Sequence, residues 1–274
     1  MDTGYSVLMS VYAGESPEFF RLAMDSMFRQ TLPTDDFVLV CDGPLTEDLD
    51  AVITSYSRQY PAILRVLRLP SHQGLAAALN AGLQSCRHDL IARMDSDDIS
   101  LPHRCAMQFG CFTSTPSELS ILSGTILEFD STPAISTGRR TVPSGHQAIC
   151  RYSKKRSPFN HPAVMYRKSA VTAVGGYRED FSCLEDYDLW IRMLQNGFRG
   201  ENLREPILFM RTGAGLYRRR SGRNYARQLL SFHRRLQSCG WINTLDFLSG
   251  SIPHALACLL PVPLLRQAYR HLHR

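Results

Sequence analysis

The densest chemistry in the sequence is a run of carboxylates within four residues, Asp95, Asp97 and Asp98, which we call the acidic cluster. Carboxylates this close repel one another unless a cation or hydrogen-bond donors relieve the repulsion. Their hard oxygen atoms suit Mg²⁺ or Mn²⁺, which often divides its coordination between protein carboxylates and substrate phosphates. The cluster therefore predicts a metal site that binds a diphosphate. Alternatively, Asp97 or Asp98 could cap a helix that starts near Leu101-Pro102.

A second set of acids, Glu185 and Asp186, opens a predicted helix much later in the chain, and we call it the acidic pair. The helix dipole stabilises acids in a first turn, so the pair could be an ordinary charged helix start. The aromatic neighbours Phe181, Tyr187 and Trp190 favour another interpretation. Apolar surroundings raise the pKa of a carboxylate towards the range in which it can act as a general base.

Three isolated residues are weaker candidates for ligand contact. Tyr12 follows the first predicted strand, where it could stack on a base or only pack against the protein. Asp42 starts an Asp-Gly pair, which is common in turns, so a turn role and a ligand contact are both open. Asn80 lies in an alanine-rich predicted helix, and its side chain fits local hydrogen bonding better than ligand contact, although we keep it as a candidate substrate-binding residue.

The elements that must position these residues alternate regularly along the first part of the chain. Four short apolar runs rich in β-forming residues predict strands at Tyr5–Tyr12, Phe37–Cys41, Leu64–Leu69 and Asp89–Met94. Helical patterns separate them, so the order predicts an α/β fold with a mostly parallel sheet covered by helices on both faces. Parallel strands end at the same edge of a sheet, and we therefore expect Tyr12, Asp42 and Asp95 to converge.

The pattern is less regular farther along the chain. Strands are predicted at Ile121–Phe129 and Ala163–Arg167, with a polar stretch between them that reaches about residue 160. Helices are predicted near residues 168–174 and 184–195. The second of these helices begins with the acidic pair.

Composition and charge narrow the class of protein. The chain has 274 residues, of which 44% are hydrophobic and 20% charged, values typical of a globular protein and not of a disordered, collagenous or coiled-coil one. Its eight scattered cysteines predict buried thiols in a reducing compartment, and no signal peptide is expected at the start of the sequence. We therefore expect a cytoplasmic protein.

The charges divide the chain into an acidic and a basic part. Residues 1–138 contain 17 acidic and 8 basic side chains, whereas residues 211–274 contain 11 arginines and a single acid, Asp246. Phe247–Leu265 carries no formal charge but contains three prolines, which predicts an interfacial segment and not a spanning helix. We therefore predict a domain at 1–215 and, at 216–274, an Arg-rich amphipathic helical extension on the anionic cytoplasmic membrane surface. The alternative is helices packed on the main domain.

Several motifs in this order resemble glycosyltransferase family 2, which has the GT-A fold, and most closely its bacterial exopolysaccharide and O-antigen members of the amylovoran-biosynthesis type. They are SVLMSVY (6–12), CDGP (41–44), GLAAALNAGL (74–83), ARMDSDD (92–98), NHPAVMYRKSAV (160–171), GGY (175–177) and LEDYDLWIRM (184–193). The resemblance spans about residues 5–215. The strand-end DxD together with the later Glu-Asp pair makes it specific.

The resemblance also implies roles for residues that bind the substrates. Val11 and Tyr12 would line the base of a nucleotide, and Asp42 would contact the uracil or the ribose. His161 and Trp190 would shape the sites for the sugar and the acceptor. The substrates implied are a nucleotide-sugar donor, expected to be a UDP-sugar, and a saccharide or polyprenyl-diphosphate-linked acceptor.

For the reacting groups, the resemblance implies that Asp95 lies near the ribose and diphosphate and that Asp97 ligates Mn²⁺ or Mg²⁺, with Asp98 assisting. Asp186 would be the general base, oriented or helped by Glu185. A base on the face opposite the leaving group gives a single displacement with inversion at the anomeric carbon.

Other functions fit the sequence less well. A catalytically silent GT-A scaffold at the membrane would be expected to lose one of the two acidic groups, and both are present. A sugar-phosphate nucleotidyltransferase would normally carry a glycine-rich phosphate loop, which this sequence lacks. Nucleic-acid binding is not expected either, because no aromatic side chains interleave with the arginines as stacking platforms.

Overall fold

The computed structural model describes residues 4–114, 119–181, 183–212 and 219–265. Four parallel strands form the first half of its sheet, in the order β3 (Leu64–Arg68), β2 (Asp36–Cys41), β1 (Ser6–Val11) and β4 (Leu90–Met94). Each agrees with a predicted strand to within one residue at either end. The carboxyl ends of β1, β2 and β4 meet at one edge, because Val11 is opposite Cys41 and Met9 is opposite Met94.

Strands of both directions form the second half of the sheet. The strand β8 (Met165–Arg167) runs antiparallel to both β4 and β6 (Leu119–Phe129), and β9 (Arg199–Arg211) runs parallel to β6. Short antiparallel strands, β5 (Ile99–Ser100) and β7 (Ser136–Arg140), pair with β9 and β6 respectively. The predicted α/β fold is confirmed, with a mixed sheet in which parallel pairing is limited to β1–β4 and to β6 with β9.

Helices cover both faces of this sheet. They are α1 (Pro17–Phe28), α2 (Glu47–Gln59), α3 (Leu75–Ser85), α4 (Arg104–Ser114), α5 (His146–Tyr152), α6 (Lys168–Ala173) and α7 (Glu185–Gln195). Side chains of α1, α2 and α4 form the core on one face, and those of α3, α5, α6 and α7 form the core on the other. Ser16 and Thr46 start α1 and α2 as predicted, since each hydroxyl accepts a hydrogen bond from a backbone N–H of the first turn.

Three of our sequence predictions need correction. The stretch before residue 160 is not simply polar loop, because it contains β7 and α5. The strand predicted at Ala163–Arg167 starts only at Met165, since His161–Ala163 form a 3₁₀ turn. Four of the eight cysteines are buried, but Cys239 is exposed, so the prediction of buried thiols holds only in part.

The C-terminal region is helical and packs on the rest of the protein. It contains α8 (Gly222–Ser238), α9 (Thr244–Asp246), a π-helical turn at Phe247–Ser251 and α10 (Ile252–Ala257). Phe232 of α8 packs on Tyr187 of α7, with the ring centroids 4.9 Å apart. Within the described ranges, every helix is too short or too polar to cross a bilayer. The predicted boundary at residues 215 and 216 lies outside the described residues, as do Arg266, Arg270 and Arg274.

Candidate active site

The acidic cluster forms the centre of the site. Single carboxylate oxygens of Asp95, Asp97 and Asp98 all lie within 4.8 Å of one another, a spacing that a cation could bridge. Burial raises the pKa of Asp97 to about 7, and the charges of Asp95 and Glu15 add to the rise. Burial and the other two acids of the cluster also raise the pKa of Asp98 well above its ordinary value. The donor set consists of hard oxygens that repel one another, which fits Mg²⁺ or Mn²⁺.

The cluster is tied to the sheet and not to a helix start. The buried Asp98 accepts a hydrogen bond at 2.8 Å from the backbone N–H of Arg211, at the end of β9. The Arg211 side chain donates to the Asp97 carbonyl at 3.1 Å, and its guanidinium lies 3.6 Å from the ring centroid of Phe19. Since α4 begins only at Arg104, the helix-capping alternative for Asp97 and Asp98 does not describe the structure.

Glu15, which the sequence analysis missed, is a fourth acid beside the cluster. It follows the end of β1, and its carboxylate accepts a hydrogen bond at 2.6 Å from the hydroxyl of Ser96. Ser96 lies between Asp95 and Asp97 in the chain, so this bond links the β1 exit to the β4 exit. A carboxylate a few residues past a strand end at the predicted edge was the sequence signal that could have identified it.

Arg93 is a buried cation directly behind the cluster. Only 1% of it is exposed, and its guanidinium donates to Asp95 at 2.5 Å. Its other two nitrogen positions, Nε and Nη1, have no hydrogen-bond partner among the described residues. Burial raises the pKa values of Asp98, Glu185 and Asp186, and the positive charge of Arg93 opposes the rise in all three. Arg93 therefore contacts the acidic cluster directly, and its charge also acts on the acidic pair.

The acidic pair occupies the first turn of α7. Burial, reinforced by the charge of Asp186, raises the pKa of Glu185 to about 7. Burial also raises the pKa of Asp186, although the positive charges of Arg220, Arg140 and Arg93 oppose it. The Ser157 hydroxyl donates a hydrogen bond to Asp186 at 3.3 Å. Partly buried carboxylates with raised pKa values are suited to accepting a proton near neutral pH.

Two arginines at the start of the C-terminal region reach both acidic groups. The positive charge of Arg219 opposes the rise in the pKa of Asp97 that burial causes. The positive charge of Arg220 opposes the corresponding rise for Glu185 and Asp186. Arg219 is exposed and Arg220 is half-buried. The positive charge of this part of the protein therefore acts on both acidic groups.

The residues predicted to bind a nucleotide have different surroundings. Tyr12 is 46% exposed, and its ring centroid lies 5.8 Å from that of His72. Asp42 is buried and accepts hydrogen bonds from the backbone N–H groups of Gln73 and Gly74, while His72 Nδ1 lies 2.8 Å from it. Asp42 thus holds the loop that places His72 beside Tyr12. Val11 points into the core with 1% exposure, so its side chain cannot line a base as predicted.

Asn80 has a structural task. Its amide group donates to the backbone carbonyl of Tyr177 at 2.7 Å and accepts from the backbone N–H of the same residue at 2.9 Å. Arg192, held by a buried ion pair with Asp188 at 2.7 Å, donates to the carbonyl of Gly176. These bonds fix the turn that carries Tyr177. Both ends of the Asn80 amide bond to the Tyr177 backbone, which supports the hydrogen-bonding role favoured from the sequence, and substrate contact by Asn80 stays a prediction.

Tyr177 in turn fixes His161. The imidazole Nε2 lies 3.0 Å from the Tyr177 hydroxyl, and the ring packs edge-on against Trp190 at 5.9 Å. Burial and the charge of Arg93 hold the pKa of His161 well below its ordinary value, so the ring is neutral at pH 7. Trp190 is fully buried, so it can shape the site only through its contact with His161. It supports His161 from the core and does not line the site.

Comparison with known proteins gives these positions a context. The family described as glycosyl transferase family 2 matches residues 6–221. The chain is 35% identical over 273 residues to the UDP-Gal:alpha-D-GlcNAc-diphosphoundecaprenol beta-1,3-galactosyltransferase of Escherichia coli. This match covers 98% of this chain and 96% of that protein. It is also 35% identical over 269 residues to the amylovoran biosynthesis glycosyltransferase AmsE of Erwinia amylovora, with 97% of each chain covered.

Among solved structures, the chain is similar to the mannosyltransferase PcManGT of Pyrobaculum calidifontis, determined in complex with GDP-Man and Mn²⁺. The TM-score is 0.64 at 15% sequence identity, and the match covers 98% of this chain and 79% of that one. At this identity the likeness establishes the fold alone.

Proposed function

Since the chain belongs to glycosyl transferase family 2, we propose that it transfers a hexose from a UDP-sugar to a hydroxyl group of a lipid-linked saccharide. The names of two relatives support this substrate class. One uses UDP-Gal and acts on a sugar linked to diphosphoundecaprenol, and the other acts in amylovoran biosynthesis. The observation that carries the proposal is the presence of two acidic groups with different surroundings around one buried arginine, Arg93.

The donor binds at the ends of the parallel strands. The exposed ring of Tyr12, beside His72, offers a stacking surface to the uracil, and Asp42 keeps that loop in place. Asp97, with Asp95 and Asp98, would hold Mn²⁺ or Mg²⁺ on the diphosphate. The chemistry the cation supplies is neutralisation of the charge that develops on the departing diphosphate. Complexes of a structural neighbour with Mn²⁺ and a nucleotide sugar support this cofactor class.

The acceptor reacts in one displacement. Its hydroxyl oxygen attacks the anomeric carbon from the face opposite the UDP, and the bond from that carbon to the diphosphate oxygen breaks with its electron pair. Asp186 takes the hydroxyl proton, and Glu185 shares or orients this role. The partly buried position of the pair supports a proton acceptor that works near neutral pH. The product then has the inverted configuration at the anomeric carbon.

The acceptor also suggests where the protein acts. A polyprenyl-linked saccharide is held in a membrane, so the enzyme works at the cytoplasmic face of that membrane as a peripheral protein. The arginines of the C-terminal region supply the positive charge that an anionic leaflet attracts.

A panel of nucleotide sugars tests the proposal. The protein is incubated with each donor and a saccharide diphosphate lipid, with and without Mn²⁺, and the released nucleotide and the anomeric configuration of the product are measured. UDP release that requires the acceptor and the cation, with inversion, is the expected result. Consumption of a sugar phosphate together with a nucleoside triphosphate would instead identify a nucleotidyltransferase. No turnover with any donor would favour a silent scaffold.

A further inference from the structure

Exposed apolar side chains are concentrated, among the described residues, in one part of the C-terminal region. Nine large hydrophobic side chains are exposed in the described part of the chain, and six of them are leucines within residues 245–264. Their exposed fractions run from 39% for Leu260 to 72% for Leu245. We call the six the leucine surface: Leu245, Leu248, Leu256, Leu259, Leu260 and Leu264. Patches of exposed apolar side chains on otherwise polar proteins mark interaction sites.

These leucines are exposed although their own segment is firmly packed. Ile242, Ala255 and Cys258 from the same segment are buried against α8. The backbone N–H of Gly222 donates to the Cys258 carbonyl at 2.8 Å, and Trp241 donates to the Ser153 hydroxyl at 3.2 Å. The segment therefore already has an apolar side turned to the core. The leucine surface consists of the apolar side chains of this segment that remain exposed to solvent.

The charged residues that the C-terminal region itself carries are almost all positive. Arg223, Arg227 and Arg234 are exposed on α8 and, at spacings of four and seven residues, form one stripe of that helix. Asp246 is the sole acid within residues 211–274, and it is paired with Lys154 at 3.6 Å. The segment that carries the leucines packs on the helix that carries the arginines. Exposed leucines and arginines in one packed unit are complementary to a leaflet of anionic phospholipid, which offers acyl chains to the leucines and phosphates to the arginines.

We propose that the leucine surface inserts into the interface of the anionic cytoplasmic leaflet while the arginine stripe of α8 binds the lipid phosphates. This inference rests on the proposed function and specifies how the enzyme meets its acceptor. Because α8 packs on α7 through Phe232 and Tyr187, and Tyr187 follows Asp186, the leaflet lies at a fixed position relative to the candidate base. The arrangement suits a lipid-borne diphosphate acceptor whose saccharide extends from the membrane, and it leaves the transfer reaction itself unchanged.

Flotation of the full chain with vesicles tests this proposal. Vesicles of phosphatidylglycerol and phosphatidylcholine are compared with vesicles of phosphatidylcholine alone. We expect binding to the anionic vesicles only, and at least tenfold weaker binding for the triple variant L256E/L259E/L260E. The matched control is Ile135→Glu, which places the same charge on a side chain that is 66% exposed but far from residues 245–264 in the chain. It should float like the wild-type protein.

The arginine stripe gives a second, independent set of variants. Each of Arg223→Gln, Arg227→Gln and Arg234→Gln should weaken binding to anionic vesicles about fivefold at low salt, with less effect as salt rises. The matched control is Arg58→Gln, an exposed arginine on α2. Equal binding to neutral vesicles, or leucine and arginine variants that float like the wild-type protein, would overturn the proposal. So would a wild-type dimer that the leucine substitutions dissociate while flotation is absent.

Nucleotide release with a soluble acceptor analogue separates this inference from the proposed function. The leucine variants should keep that activity, which also shows that they are folded. If activity is present but no variant or vesicle changes flotation, the docking surface is wrong and the transferase assignment stands. If vesicles bind as expected but no donor is turned over, the proposed function fails and the docking surface stands.

Discussion

The acidic cluster and the acidic pair use the same kind of side chain in opposite electrostatic surroundings. Asp95, Asp97 and Asp98 lie within 4.8 Å of one another beside a fourth acid, Glu15, so negative charge is in excess there. The acidic pair has three arginines near Asp186, and burial is the main cause of its raised pKa. The excess negative charge of the acidic cluster attracts a cation. In the acidic pair nearby arginines balance the negative charge, and a buried carboxylate in such surroundings is suited to accepting a proton.

The comparison teaches that position along the chain does not define the chemical role of a carboxylate here. Both groups follow the end of an element or open one, and both could be interpreted as helix starts from sequence alone. Their surroundings distinguish them, and Arg93 touches one group and influences the other. The following predictions test this division of roles.

The largest expected effect is on the acidic pair. Asp186→Asn removes the proton acceptor while keeping the size of the side chain, and kcat should fall about 10²-fold or more. Steady-state nucleotide release in Mn²⁺ measures it. Asp48→Asn, an exposed acid on α2, is the control and should have normal kcat. A near-normal kcat in Asp186→Asn, with a large loss in Glu185→Gln, would exchange the roles of the two acids.

Arg93→Met should disturb both groups at once. It leaves Asp95 without its 2.5 Å partner and removes a charge that lowers the pKa of the acidic pair, so kcat/KM should fall about 10- to 100-fold. The acidic limb of the pH profile should also move to higher pH. Arg93→Lys keeps the charge and should recover part of both effects. Loss of activity with an unmoved pH profile would mean that Arg93 serves the acidic cluster alone.

The pH dependence should separate the two groups. The acidic pair must be ionised to accept a proton. Burial raises the pKa of Asp186, and it raises the pKa of Glu185, which shares or orients the role of Asp186, to about 7. Therefore kcat/KM should fall about tenfold for each pH unit below 7. The pKa of Asp97 is also raised to about 7, but a bound cation competes with its proton. Raising the Mn²⁺ concentration should move only the part of the profile due to Asp97. A flat profile between pH 5.5 and 8 would contradict both assignments.

The smallest effect concerns stability without metal. A folded-state pKa of about 7 for Asp97, against an ordinary value of 3.8, means that the folded protein holds a proton that the unfolded chain has lost. Stability therefore falls as pH rises through this window. The side chain that Asp97→Asn introduces carries no charge at any pH, so the variant does not lose stability in this window. Its Tm should exceed that of the wild-type protein by about 2–4 °C at pH 8, and the two Tm values should be equal near pH 4. Thermal unfolding of both proteins in the presence of a chelator measures this difference. A lower Tm for Asp97→Asn than for the wild-type protein at pH 8 would contradict the claim that negative charge is in excess in the acidic cluster.

The family and much of the fold could be predicted from local patterns. The alternation of apolar runs and helical stripes identified β1–β4 and α1–α3, and the caps at Ser16 and Thr46 fixed two helix starts. The resemblance to glycosyltransferase family 2 and the GT-A fold are confirmed, and the protein is a glycosyltransferase. Later elements such as β7 and α5 were missed because they are short and carry almost no apolar pattern: β7 is the polar run Ser136–Arg140, and α5 buries only Ile149.

The roles of the site residues stay predictions, and the sequence indicated the surroundings of only some of them. Periodicity does not reveal that Val11 and Trp190 are buried, since a residue at a strand end or in a helix can face either way. It does not reveal that Asn80 pairs with the backbone of Tyr177, 97 residues away. Nor does spacing indicate that Arg93 serves two acidic groups. Such contacts arise from folding in three dimensions and have no local sequence signal.

The most direct test of the central claim compares donor binding in two variants. Titration calorimetry with UDP, with and without Mn²⁺, is done on the wild-type protein, Asp97→Asn and Asp186→Asn. If the acidic cluster holds the cation and the acidic pair only accepts a proton, Asp97→Asn loses the gain in affinity from Mn²⁺. Asp186→Asn keeps that gain although its turnover is low. Full Mn²⁺-dependent binding in Asp97→Asn, or its loss in Asp186→Asn, would contradict the account.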